Sequence, residues 1–150
     1  MVIKRLLCIM ILSMIFPVCT RAQVSDDEAI GSVKTLPVSK LDPALPNTPF
    51  STWLAKLAGD SGVVKWEVND CGEQTGNSMM DIQSDVPISV EVDVTLPRDR
   101  EWSITVNAGS DKKGLVKDPV VSYIDLVSKG KYQSVKHLHD LQGALHNFFK

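Results

Sequence analysis

The chain has 150 residues, 43% of them hydrophobic, and a formal net charge of −2. That length fits one domain. The mild acidity argues against a surface built to coat nucleic acid, whose phosphates demand clustered Lys and Arg.

The first residues read MVIKRLLCIMILSMIFPVCTRAQ. Lys4 and Arg5 precede an apolar run from Leu6 to Val18, shorter than the roughly 20 residues a helix needs to cross a bilayer. Pro17 closes the run, and Thr20 and Ala22 stand three and one residues before a cut at Gln23. Positive start, apolar middle and small-residue site predict a secretory signal peptide over 1–22; a retained anchor is the alternative. Cys19 follows Phe16, Pro17 and Val18, which fits a lipid-attachment site poorly. Cleavage removes Lys4, Arg5 and Arg21 with no acid, moving the formal charge from −2 to −5. The expected location is periplasmic or extracellular, with no stable membrane span left. Such compartments are oxidising. Cys8 and Cys19 leave with the signal, so Cys71 stands alone and cannot form an intramolecular disulfide.

Residues 23–47 begin acidic and polar, carry Pro37, Pro43 and Pro46, and show no sustained period. They read as a flexible tether, leaving 48–150 as the folded domain. Its first element is a helix with Thr48 as N-cap and Pro49 at the first helical position. Phe50, Trp53, Leu54, Leu57 and Ala58 form its apolar face, and Gly59 can take the left-handed conformation after it. In VVKWEV, Val64, Trp66 and Val68 alternate with Lys65 and Glu67, predicting a half-buried strand.

A long polar loop, 69–87, follows. Then ISVEVDVTL puts Ile88, Val90, Val92, Val94 and Leu96 on one face, and EWSITVNA continues with Trp102, Ile104, Val106 and Ala108. Pairing them across Pro97–Glu101 sets Leu96 against Trp102, Val94 against Ile104 and Val92 against Val106. On the other face Asp93 would meet Thr105 and Glu91 would meet Asn107, a wet polar surface without opposed like charges. GSDKKGLVKDP reads as a turn, with Lys112, Lys113 and Lys117 as its solubilising charges. VVSYIDLV is a strand that SKGK folds into a hairpin with YQSV. Leu138, Leu141, Leu145 and Phe148 then step along a final helix with Asp140 as N-cap. The expected fold is α+β: an antiparallel meander of four to five strands, an N-terminal and a C-terminal helix packed on one face, and the other face solvated. No βαβ alternation is present, so no dinucleotide crevice and no cofactor are expected.

Three constellations could carry chemistry. His137, His139 and Asp140 offer metal ligands, but on a helix the two histidines diverge by about 200° at 3.6 residues per turn. His139 and His146 share a helical face but stand roughly 10 Å apart along the axis, so the simpler reading is solvated histidines at a helix start. Cys71 could be a nucleophile, yet Asp70 and Glu73 beside it oppose a thiolate. An inert thiol or an intermolecular disulfide fits better. The acidic loop holds Glu73, Asp81 and Asp85, with Met79, Met80 and Ile82 as apolar islands; its spacing is not that of an EF-hand. Long loops in small domains tend to be functional or disordered, so Cys71, Glu73, Met79, Met80 and Asp81 are the candidate binding residues. The reading is an exported, non-enzymatic binding domain for a protein or envelope component. Its alternatives are a metal-dependent or cysteine hydrolase using His137, His139 and Asp140 or Cys71, and a homodimer linked through Cys71.

Overall fold

The computed structural model describes residues 26–70, 86–110 and 116–150. The first element is helix α1, Asp26–Thr35. Asp26, Asp27 and Glu28 occupy its first turn and Lys34 its last, charges that match the helix dipole. Ala29 and Val33, one turn apart, are fully buried. The expectation of a flexible tether over 23–47 is therefore corrected from Asp26 onward.

The prolines that suggested a linker instead frame a folded loop. Pro37 and Pro49 form an antiparallel bridge. The Val38 amide donates to the Thr48 carbonyl, and the Phe50 amide to that of Leu36, both at 2.7 Å. Between them lies the short helix α2, Val38–Leu41, with Val38 fully buried.

Helix α3 spans Phe50–Ala58. Phe50, Leu54 and Ala58 are buried, and Trp53 and Leu57 pack against the same cluster, as the apolar stripe predicts. No side chain caps this helix. The Thr48 cap is a miss because the bridge to Leu36 already takes the Phe50 amide. Gly59 ends the helix at φ 69°. A Cβ at Gly62 would sit 2.6 Å from the Ala58 carbonyl oxygen, so the chain needs glycine to turn this closely into the sheet.

Strands β1 (Val63–Asp70), β2 (Val86–Leu96), β3 (Arg100–Ser110), β4 (Val116–Ser128) and β5 (Lys131–Ser134) follow in that spatial order. Every neighbouring pair is antiparallel. The observed β2–β3 register differs from the expected one by two residues. Val94 pairs with Trp102, Val92 with Ile104, Val90 with Val106, and Leu96 with Arg100. The hairpin closes more tightly than expected because Arg98 and Asp99 both take positive φ, 67° and 55°. A shift of two preserves which face each side chain occupies. The region expected as a turn between β3 and β4 is shorter too: Gly109 pairs with Lys117 and Ser110 with Val116. Lys112 and Lys113 lie outside the described residues. The β4–β5 hairpin matches expectation, with Lys129 and Gly130 at φ 47° and 78° and Ser128 paired to Lys131.

One face of the sheet forms rows such as Val94–Trp102–Leu126 and Val92–Ile104–Ile124. These residues are 0–1% exposed and share one buried cluster with Ala29, Val33, Val38, Phe50, Leu54, Leu138 and Leu141. The Phe50 ring meets Trp66 edge-on at 5.6 Å. Lys34 reaches over the outer side of Trp66, its Nζ 5.4 Å from the ring centroid. The chain ends in a 3₁₀ turn, Leu138–Asp140, and helix α4, Leu141–Phe148.

Candidate functional site

Two polar regions stand out, one between the helical segments and one on the side of the sheet that no described helix covers. The first centres on Asp42, a charged residue buried to 9% exposure. It ends α2, and its Oδ1 accepts from the Ala44 amide at 3.0 Å. Its Oδ2 accepts from the His139 amide at 2.9 Å and lies 2.7 Å from His139 Nδ1. Burial opposes the Asp42 charge, but the two amides and the histidine outweigh it and hold the carboxyl below its ordinary pKa. The same hydrogen bond raises the His139 pKa.

The histidine group thus has a different geometry from the expected one. His137 is extended, at φ −123° and ψ 141°, before the 3₁₀ turn begins. Its ring consequently stacks on His139 at 5.3 Å, with 5° between the planes, rather than diverging as on a helix. Asp140 does not cap α4 with its side chain; its carboxylate stands 3.6 Å from His139 Nε2. Among the described residues no group of three or more His, Cys, Asp or Glu side chains could hold a metal ion. Both His139 nitrogens look onto carboxylates, whereas a general base must turn one toward a nucleophile. The arrangement acts as a clasp, tying α2 to the start of the last helix across 97 residues of sequence. Nothing local in the sequence announces that partnership.

The second region follows from the register. On the face opposite the core, the pairings give one row of Val63, Thr95, Glu101, Val127 and Tyr132. The next is Lys65, Asp93, Ser103, Asp125 and Ser134, and the third Glu67, Glu91, Thr105 and Tyr123. Across β2 and β3 no like charges oppose, as expected, although Asp93 meets Ser103 and Glu91 meets Thr105. Strand β1 adds a contact that expectation did not cover, because Glu67 pairs directly with Glu91. Burial raises the Glu91 pKa first, and the charge and hydrogen bond of Asp93, then Glu67 and Asp125, push it further. Lys65 pairs with Glu67 along its own strand. The Tyr132 hydroxyl donates to Asp125 Oδ1 at 2.6 Å.

Large side chains stand open among these charges: Tyr123 is 63% and Tyr132 66% exposed, and Val127 40%. A shallow groove of about 300 Å³ runs beside them, lined by Asp93, Thr95, Glu101, Ser103, Asp125 and Val127 together with Lys65. Sequence alternation foretold a polar face. It gave no sign that Tyr123 of β4 and Tyr132 of β5 share this face, because a strand's face can be assigned only once its neighbours are known.

The expected binding residues Cys71, Glu73, Met79, Met80 and Asp81 lie outside the described residues, as does the expected signal segment 1–22. Among the described residues no helix is long and apolar enough to cross a membrane. The chain matches no protein-family model, no curated protein and no solved structure.

Proposed function

We propose that the chain is an exported, non-enzymatic interaction domain, an α+β meander whose uncovered sheet face receives a protein or envelope component. The observation that carries this reading is the open face itself. Tyr123, Tyr132 and Val127 expose most or much of their surface between carboxylates. Tyrosine in such a setting offers a large, rigid contact with a polar tip, the residue type that interfaces favour. Export is supported by the three-part pattern of residues 1–22. The hydrolase alternative loses support because His139 is engaged by Asp42 and Asp140.

Site-specific photo-crosslinking in the native cells tests the reading. A crosslinker placed at Tyr132 or Tyr123 is expected to give a discrete adduct, while one at the exposed Gln142 on α4 gives none. No adduct from either tyrosine position, or the same adduct from Gln142, sinks it.

A further inference from the structure

The proposed interaction face has a chemistry that selects its partner. In its three rows the described strands carry Glu67, Glu91, Asp93, Glu101 and Asp125 against Lys65. Asp93 and Asp125 oppose Ser103 from its two sides, so they stand on strands roughly 10 Å apart, two strand spacings. The small Ser103 side chain between them leaves the floor of the groove low. Glu101 and Val127, paired in the next row, close one side. Tyr132, opposite Val127, rises beside it.

We infer, resting on the interaction reading above, that this groove docks a basic segment of a partner protein, with a Lys or Arg side chain set between Asp93 and Asp125. The fit has three parts. The carboxylates supply charge-assisted acceptors for an ammonium or guanidinium. Val127 and the Tyr132 ring offer apolar surface to its aliphatic stem and a π face to its charge. The cation also offsets the carboxylates crowded around Glu91, one row away, whose opposed partner Glu67 already pairs with Lys65. A second copy of this acidic chain fits less well, because it would bring more carboxylates to the same face.

The test titrates a capped oligolysine peptide into the isotope-labelled protein at low salt, following backbone amides by NMR, with its fully acetylated counterpart as control. Shifts are expected at Asp93, Ser103, Asp125 and Val127, and none with the acetylated peptide. An Asp93→Asn, Asp125→Asn double variant keeps the side-chain shapes and is expected to bind roughly tenfold more weakly. An Asp27→Asn, Asp60→Asn variant loses the same charge from exposed positions off this face and should bind within about twofold of wild type. Equal weakening in both variants, or shifts scattered over all surface carboxylates, overturns the inference. Self-association that itself shifts the same amides overturns it in favour of a second copy. The wild-type shift map decides even if the double variant folds poorly. A crosslinked neighbour at Tyr132 without oligolysine binding removes the cationic partner and leaves the interaction reading standing.

Discussion

The two faces of this sheet are built from alternate residues of the same strands, yet they obey different rules. On the inner face Val94 packs beside Trp102 and Val92 beside Ile104. Sliding the pairing by two residues would set other apolar side chains side by side and still bury them. On the outer face the neighbours are charged, and each pairing has a sign. The same two-residue difference takes Glu91 from an expected Asn107 partner to Thr105, and pairing with β1 puts Glu67 on its other side. Burial is thus tolerant of register, while electrostatics is specific to it.

Substitutions can break or sharpen this contrast. The largest effect belongs to the inner face: Trp102→Ala is expected to cost about 3–5 kcal/mol in urea unfolding, by transfer and cavity terms. Trp102→Phe should cost far less than that, since the buried indole Nε1 has no hydrogen-bond partner to lose. Asp42→Ala comes next, at about 1–3 kcal/mol, because two amide donors and a histidine lose their acceptor.

The outer face should respond in the opposite direction. Glu91→Gln is expected to stabilise by about 0.2–1 kcal/mol by removing a directly opposed like charge. The folded Glu91 pKa is raised, so its ionisation weakens the native state as pH rises through that value. The gain from Glu91→Gln should therefore appear at neutral pH and vanish in acid. No gain at pH 7 would mean that the rows of charge are fully screened by water.

The clasp has its own pH signature, smaller again. Asp42 is held below its ordinary value of 3.8, so its contribution is present above that value and lost as pH falls through the folded one. His139 is raised above 6.5, so its contribution is complete below 6.5 and lost as pH rises through the folded value. Thermal unfolding of wild type and His139→Gln should therefore differ most between pH 3.8 and 6.5, where both charges are present, and converge at alkaline pH. A difference independent of pH would show that only neutral hydrogen bonds operate there. Half-exposure of the His139 side chain, at 42%, keeps the effect modest.

How far the sequence could be read depends on how local each signal is. The apolar stripe of α3 and the alternation of β1 to β3 name the core nearly residue by residue, because helical and strand periods are short-range. Helix α1 is obscured in the sequence by the prolines at 37, 43 and 46 that follow it, which carry the signature of a linker. Asp26–Glu28 at one end, Lys34 at the other, and Ala29 four residues before Val33 were the available signs of a helix. Of the candidate site residues, His139 keeps His137 and Asp140 beside it, but its nearest partner, Asp42, lies 97 residues away in sequence and is not legible there.

From α3 to β3 the sequence alone determined which side chains face the core, and from α3 onward the order of strands and helices, since each period spans only a few residues. Tertiary structure alone decided what each polar side chain faces. Asp42 meets His139, and Glu67 meets Glu91, only after distant segments fold together. A charge acts on whatever lies within a few ångströms, and that neighbour is rarely nearby in the chain.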